Sequence, residues 1–269
     1  MPPLGTCHGV TPMSSDNVRG LSIPAPANAG RDEDCLVNTA YLERYQALLH
    51  ENLPPPLKDF AAFFANLNRL RTMSAMLEKH VGVKSRTILN VGSGTFAAEI
   101  FSASFQDRQI SSFDYTEGFA GLYRVFRGEG LLATTTFAGA DANKVTYRAG
   151  SFDLVVFHDI FYENALNVPD VLIRYRDFLK PGGFVYLDFM NQNTAWLWKL
   201  IGKERKYKRY TVTQIRSALE ESGFDLLEMR RSSGAAIRAV IFLNWALWTI
   251  FGTSNAFALV ARKRQPEVT

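Results

Sequence analysis

Residues 88–100 read ILNVGSGTFAAEI, and this stretch decides the fold. Its apolar, β-branched start predicts a strand, its two glycines predict a sharp turn, and the residues after them favour a helix. Without a Cβ, Gly92 and Gly94 let the backbone bend tightly and approach a ligand. A helix that begins at this turn directs its free N–H groups toward an anionic ligand group.

The alternation of strands and helices continues outward from this turn over residues 86–231. Short apolar runs such as FDLVVF alternate with amphipathic stretches such as VPDVLIRYRDFL. This alternation predicts an α/β domain with a mostly parallel sheet and helices on both faces. Pro181-Gly182-Gly183 is expected to stop the helix before the strand GFVYLDF. Thr211 or Thr213 is expected to cap a helix that ends near Gly223.

Asp114 ends the second predicted strand, QISSFD, twenty residues after Gly94. A carboxylate at this place can accept hydrogen bonds from both ribose hydroxyls of a nucleotide. The spacing of Gly92, Gly94 and Ala97 also fits the GxGxxA pattern, so NAD and S-adenosylmethionine are equal alternatives at this point. In a second interpretation, Asp114 only caps its own turn.

Three further motifs follow in order. They are Ala140-Asp141-Ala142 after the third strand, GSFDLVVFHD across the fourth, and LKPGG before the fifth. With the glycine turn and Asp114, this series resembles the class I S-adenosylmethionine-dependent methyltransferases over residues 86–231. The later run FALVARK is similar to the terminal strand of that family. The resemblance implies a Rossmann-like, seven-stranded, mostly parallel sheet with helices on both faces, S-adenosylmethionine as cofactor, and methyl transfer.

The resemblance also implies a set of cofactor-binding residues by position. The glycine turn would line the methionine end of the cofactor, Asp114 would hold the ribose, and Asp141 would accept from the adenine amino group. The set comprises Tyr41, Gly92, Ser93, Gly94, Thr95, Asp114, Tyr115, Asp141, Ala142 and His158. Two positions depart from the family pattern: Asn90 stands where many members have an acidic residue, and Phe96 stands where many have a third glycine.

A narrower resemblance involves the amino-terminal part of the chain. Residues 41–45 (YLERY), with GSGT and SFQDRQISSFDY, are similar to the nicotinamide and arylamine N-methyltransferases. This implies a helical lid over residues 36–84 in which Tyr41 covers the cofactor, and plain helix packing is the other interpretation of Tyr41. The insertion typical of that group after the second strand is much shorter here, which leaves the acceptor open. Residues 1–35 are predicted to be a flexible leader, and residues 85–269 the S-adenosylmethionine-binding domain.

The segment FHDIFYEN, residues 157–164, lies where methyl acceptors usually approach in this family. His158 is the first candidate for a general base because its unperturbed pKa is near 6.5. Asp159 and Tyr162 are the next catalytic candidates. In the alternative interpretation, His158 only packs beside the cofactor. Four aromatic residues after the fifth strand could wall an apolar or aromatic acceptor pocket: Trp196, Trp198, Tyr207 and Tyr210.

The composition of the chain indicates which ligands, which compartment and which contact with a membrane to expect. The formal charge is +4 at pH 7 with the charges scattered along the chain, so nucleic-acid binding is not expected. Only Cys7 and Cys35 are present, and the histidines lack ligand spacing, which predicts no metal site and favours a reducing, cytoplasmic location.

Residues 239–252, AVIFLNWALWTIFG, are too short to cross a bilayer. A buried helix or pocket wall is favoured there over a membrane-surface patch.

The leading hypothesis is therefore an enzyme that methylates nitrogen or oxygen of a small, apolar or aromatic molecule. An NAD(P)-dependent oxidoreductase is the second enzyme class, because it uses the same glycine pattern. The alternative outside the enzymes is a non-catalytic, membrane-peripheral protein on a methyltransferase scaffold. Asn90, Phe96 and the Trp-rich carboxyl-terminal segment motivate that alternative.

Overall fold

The computed structural model describes residues 39–60, 67–93, 96–102, 108–116, 118–161, 166–200, 208–232 and 238–265. The predicted leader, residues 1–35, lies outside this part of the chain. The α-helices within it are α1 (Thr39–Asn52), α2 (Leu67–His80), α3 (Ala97–Ser102), α4 (Phe119–Gly128), α5 (Val168–Arg176), α6 (Ala195–Leu200), α7 (Val212–Glu221) and α8 (Arg238–Phe251). The strands are β1 (Thr87–Val91), β2 (Gln109–Asp114), β3 (Thr135–Gly139), β4 (Phe152–Phe157), β5 (Leu179–Asn191), β6 (Arg209–Tyr210), β7 (Phe224–Ser232) and β8 (Ala256–Lys263). Short 3-10 helices cover Pro55–Phe60, Gly82–Lys84 and Gln192–Thr194.

The strands form one sheet in the order β3-β2-β1-β4-β5-β8-β7, and β6 pairs with the end of β5. The first five strands of this order are parallel, whereas β8 is antiparallel to both of its neighbours. The predicted α/β fold is confirmed, with the two-residue β6 as an eighth strand. Because the strand order reverses between β1 and β4, their carboxyl ends border the crevice where such sheets bind ligands.

The sheet is buried on both faces because its helices cover both. Successive residues of a strand point to opposite faces. On β1, Ile88 therefore joins an apolar cluster that includes Met73 of α2 and Phe126 of α4. Leu89 joins a second cluster that includes Tyr175 of α5.

Two predicted boundaries differ in the structure. The helical periodicity of residues 57–80 predicts a single α-helix, but the prolines before it start a 3-10 helix at Pro55–Phe60, and the described α2 covers Leu67–His80. The strand β5 begins at Leu179, so Pro181-Gly182-Gly183 lies inside it, and a register shift against β4 accommodates the motif. The predicted cap at Thr211 is confirmed, since it forms a capping box with Gln214 at the start of α7.

Candidate functional site

The turn after β1 is built around Gly92. This residue has φ +71°, a left-handed conformation that favours glycine. A Cβ on Gly92 would lie 2.8 Å from Cγ2 of Ile160, so a larger residue would collide with the loop after β4. The turn therefore needs glycine here, and the neighbour that requires it is Ile160. Gly94 and Thr95 lie outside the described residues.

Asp114 ends β2 directly beside the glycine turn. Its Oδ2 accepts a hydrogen bond from the Ser93 N–H at 2.8 Å, and its Oδ1 accepts one from the Thr116 N–H at 2.7 Å. The carboxylate thus holds two turns together, which is the capping role that the sequence left open. A carboxylate has about four acceptor sites, so these two amides do not exclude ribose hydroxyls at the same group. The ribose-binding role of Asp114 stays a prediction.

Asp141 follows β3 at the same edge of the sheet. The Ala140 N–H donates to the carbonyl of Asp114 at 3.0 Å, which joins the ends of β2 and β3. The Asp141 carboxylate accepts a hydrogen bond from the Asn143 N–H at 2.8 Å. This bond stabilises the charged form and lowers the pKa of Asp141. An ionised carboxylate therefore stands next to the Asp114 strand end.

Ala142 and Tyr115 complete this part of the edge. The Tyr175 hydroxyl of α5 donates to the carbonyl of Ala142 at 2.8 Å, which fixes the turn after β3 against a helix. The Tyr115 side chain, directly after Asp114, is 77% exposed. An exposed aromatic ring beside two carboxylates can lie against a nucleoside base.

A buried ion cluster lies at the carboxyl ends of β4 and β5. The Arg69 guanidinium of α2 contacts Oδ1 of Asp159 and Oδ2 of Asp188, each at 2.7 Å. The Asp159 N–H donates to Oδ1 of Asp188 at 2.8 Å. Burial acts to lower the pKa of Arg69, but the two carboxylates outweigh burial and raise it. The catalytic candidate Asp159 is therefore held in an ion pair with Arg69.

His158 follows β4 and is 2% exposed. Its Nε2 lies 3.8 Å from Oδ2 of Asp188, and its ring is stacked with that of Tyr186 at a centroid distance of 6.2 Å. Burial lowers the pKa of His158 to about 4, although Asp188 acts in the opposite direction. His158 is therefore uncharged at neutral pH, which is the state that a general base requires.

Sequence reasoning did not single out Arg69, although the sequence carries a signal for it. Arg69, Met73 and Met76 recur at the spacing i, i+4, i+7, which places them on one face of α2. Both methionines are fully buried. A cation on the apolar face of a helix requires a buried anion, because an unpaired buried charge is very unfavourable. This spacing could have identified Arg69 as a partner for strand-end carboxylates.

Glu99 of α3 accounts for the departure from the family pattern at Asn90. The Glu99 side chain is buried, and its Oε2 accepts a hydrogen bond from Asn90 Nδ2 at 3.0 Å. Its Oε1 accepts from the hydroxyls of Ser112 and Tyr123. Burial raises the pKa of Glu99, whereas these three hydrogen bonds act to lower it. The acidic group beside the glycine turn thus comes from the helix instead of the strand.

Phe96 accounts for the second departure, at the third glycine. It is fully buried and packs against Tyr45 of α1 and Phe126 of α4, with ring centroids 5.5 Å and 5.0 Å apart. Its φ of +55° is unfavourable for a side chain by about 1–2 kcal/mol. Each aromatic pair contributes about 0.5–1.5 kcal/mol beyond its buried area, which offsets that strain. Phe96 therefore anchors the amino-terminal helix to the sheet.

The aromatic residues that were predicted to wall an acceptor pocket lie in different environments in the structure. Tyr210 is buried, and its hydroxyl donates to Oδ1 of Asn167 at 2.8 Å and accepts from the Val168 N–H at 3.1 Å. Tyr210 thus holds the start of α5, which corrects its assignment to a pocket wall. Trp196 on α6 is 51% exposed. The remaining predicted residues, or their side chains, lie outside the described part: Tyr41, Tyr162, Trp198 and Tyr207.

Residues 89–187 match the protein family described as a methyltransferase domain. The matched range runs from within β1 to within β5 and includes every predicted cofactor residue except Tyr41. No functionally curated protein is significantly similar to this chain in sequence.

Several solved structures share the fold at low sequence identity. The 1,6-didemethyltoxoflavin-N1-methyltransferase of Burkholderia thailandensis has a TM-score of 0.53 and 16% identity, over 83% of this chain and 90% of that one. A geranyl diphosphate methyltransferase in complex with GPP and sinefungin has a TM-score of 0.57 and 13% identity, over 76% and 81%. The [4+2]-cyclase SpnF has a TM-score of 0.56 and 16% identity, over 84% and 96%. At these identities the likeness shows the fold alone.

Proposed function

We propose that this chain is a class I S-adenosylmethionine-dependent methyltransferase whose methyl acceptor is nitrogen or oxygen of a small, apolar or aromatic molecule. S-adenosylmethionine is the methyl donor of such an enzyme. The observation that carries the proposal is the meeting of the Gly92 turn with the Asp114 carboxylate, where the strand order reverses.

The residues at this edge fit the adenosyl part of the donor. Asp114 would hold the ribose hydroxyls, and Asp141 would accept from the adenine amino group. Tyr115 would lie against the base, and its 77% exposure leaves the ring accessible. Gly92 and Ser93 would line the methionine end, where Ile160 already packs against the turn.

When bound, the cofactor supplies an electrophilic sulfonium methyl group for in-line attack by the acceptor. The residues of the chain bind and orient the two molecules, and good orientation contributes about 7–11 kcal/mol to such reactions. His158 acts as general base for an acceptor that must lose a proton, a role worth about 10²–10⁴-fold in rate. Its pKa of about 4 keeps the ring unprotonated at neutral pH, and the burial that lowers this pKa also makes the ring a weaker base than a free imidazole.

Two structural neighbours support an apolar or heteroaromatic acceptor. One is named for methylating N1 of a didemethyltoxoflavin, and the other for methylating geranyl diphosphate.

Calorimetric binding of S-adenosylmethionine and S-adenosylhomocysteine to the full chain tests the donor site. We expect micromolar affinity for both, and Asp114→Asn should weaken it at least about tenfold, because a hydrogen bond to a charged group contributes about 1.5–3 kcal/mol. Asp177→Asn is the matched control, since Asp177 is exposed at the end of α5. Thermal unfolding of both variants checks that the turn after β1 remains folded.

Formation of S-adenosylhomocysteine with a panel of aromatic amines, phenols and isoprenoid alcohols tests the acceptor class. Product with at least one apolar nitrogen or oxygen acceptor is the expected result. Transfer only to charged or macromolecular acceptors would contradict the acceptor class. Thermal stabilisation by NAD(P) and none by S-adenosylmethionine would instead support the oxidoreductase alternative.

A further inference from the structure

We propose that α8, with the start of α6, docks on an anionic lipid membrane. The docking surface, here called the aromatic rim, consists of Trp196, Phe242, Trp245, Trp248, Ile250 and Phe251. This proposal goes beyond the methyl-transfer reaction and does not depend on it. It replaces the sequence-based preference for a buried helix at residues 239–252.

The aromatic rim exposes large apolar side chains on a short helix. Phe242, Ile250 and Phe251 are 66%, 69% and 68% exposed, and Trp245 is 49% exposed. The rings of Phe242 and Trp245 contact each other with centroids 5.6 Å apart. By contrast, Leu247 of the same helix is 4% exposed and packs inward. Several large apolar side chains exposed on one short helix indicate an interaction site.

Hydrogen bonds connect the residues just after α8 with the residues just before α6 at one edge of the sheet. The Asn191 side chain, at the end of β5, donates to Thr253 Oγ1 at 2.9 Å and to the Ser254 carbonyl at 2.7 Å. The Thr194 hydroxyl, just before α6, donates to Oδ1 of Asn255 at 3.2 Å. The exit of α8 is therefore fixed beside the start of α6, at the edge that holds the carboxyl ends of β5 and β7.

The charged residues in the described segments around the aromatic rim are cations. The described residues of the segments 189–200, 208–211, 229–232 and 238–255 include no aspartate or glutamate. They do include the cations Lys199, Lys208, Arg209 and Arg231, whereas Arg230 of the same segments is paired with Glu228. Lys199 and Arg231 are exposed, and the Arg231 guanidinium lies 4.1 Å from the centre of the Trp248 ring.

This combination favours a lipid surface over a second copy of the chain. A symmetric dimer through the aromatic rim would bring the two cationic rims against each other, and like charges at an interface are unfavourable. Anionic headgroups complement such cations, and Trp side chains are enriched at the membrane–water interface. The 14 residues of α8 span about 21 Å, so the helix would lie in the headgroup region. No described helix has the length and apolarity needed to cross a bilayer.

Co-sedimentation of the full chain with vesicles tests the docking surface. Vesicles of phosphatidylcholine with about 30% phosphatidylserine are compared with phosphatidylcholine alone, at low salt and at about 500 mM salt. We expect binding to the anionic vesicles at low salt and at least about a tenfold weaker partition with neutral vesicles. The double variant Phe242→Ser/Trp245→Ser should reduce binding at least about tenfold, because it removes two of the exposed apolar anchors.

Ile173→Ser on α5 is the matched control, because Ile173 is 62% exposed and lies outside the aromatic rim. It should leave vesicle binding unchanged. Thermal unfolding shows that each variant is folded, and calorimetry with S-adenosylmethionine separates this test from that of the donor site. Absence of wild-type binding, equal binding to neutral vesicles, or a lipid-free dimer that the double variant lacks would each overturn the proposal.

Discussion

Replacement of Arg69 by methionine tests the buried ion cluster at the ends of β4 and β5. Methionine keeps a long apolar stem but lacks the guanidinium that contacts Asp159 and Asp188. Arg69 is 4% exposed and Asp188 is 2% exposed, so water has little access to replace the lost cation. We expect the free energy of unfolding to fall by about 3–5 kcal/mol, which is the usual loss when one partner of a buried ion pair is removed.

Urea denaturation followed by tryptophan fluorescence measures this loss. The total stability of a domain is about 5–15 kcal/mol, so the midpoint should move clearly toward lower urea. If the slope of the unfolding free energy against urea is unchanged, the shift reflects lower stability and not a change in the compactness of the folded or unfolded state. Arg124→Met on α4 is the matched control. Because Arg124 is exposed, its replacement should change the stability by at most about 0.5 kcal/mol.

A triple variant separates the lost charge from the lost packing. Adding Asp159→Asn and Asp188→Asn to Arg69→Met removes the two carboxylates that the single variant leaves without their cation. Most of the lost stability should return, because replacement of a whole buried ion pair is often neutral. A loss below about 1 kcal/mol for Arg69→Met, or no recovery in the triple variant, would refute this reasoning.

Two further predictions concern the pH dependence of stability. The pKa of His158 is about 4 in the folded chain, below its ordinary value of 6.5. As the pH falls from 7, the unfolded chain therefore binds a proton at His158 before the folded chain does. About 3 kcal/mol of stability is lost in this way between pH 7 and pH 4. Urea midpoints of His158→Gln should lack this loss, and a wild-type-like loss would contradict the neutral, buried ring. Partial burial acts to raise the pKa of Glu228, but hydrogen bonds from Arg230, His80 and Lys79 lower it from 4.5 to about 2. The wild type should therefore lose about 3 kcal/mol more than Glu228→Gln as the pH falls from 4.5 to 2, and equal acid unfolding of the two would disprove the pairing.

The parallel core of the sheet could be predicted because its signals are local. β1 (TILNV) and β4 (FDLVVF) are short, mostly apolar runs that are almost entirely buried, as expected of parallel strands covered on both faces. The start of β5 could not be predicted in this way. Pro181 and Gly182 are typical of a helix stop and turn, yet pairing with β4 brings them into the strand. Pairing between strands is a tertiary contact that a pattern along one segment does not contain.

The same distinction applies to the candidate site. The glycine at position 92 and the capping carboxylate at Asp114 follow from turn chemistry within a strand and the segment after it. Turn chemistry does not predict the partners of Asp159 and Asn90, because each partner comes from a different element. Arg69 reaches Asp159 from α2, and Glu99 reaches Asn90 from α3. Both are buried charges whose placement depends on how the helices pack on the sheet.

The loop after β4 connects the amino-terminal helices with the glycine turn. Asp159 has φ +57°, a conformation that is unfavourable by about 1–2 kcal/mol for a residue with a side chain. Its backbone N–H is fixed by Asp188 and its carboxylate by Arg69, and these contacts stabilise the conformation. The next residue, Ile160, then packs against Gly92. Arg69 of α2 therefore contacts the same loop that packs against the glycine turn, and this links the helical segment to the candidate cofactor site without any contact from Tyr41.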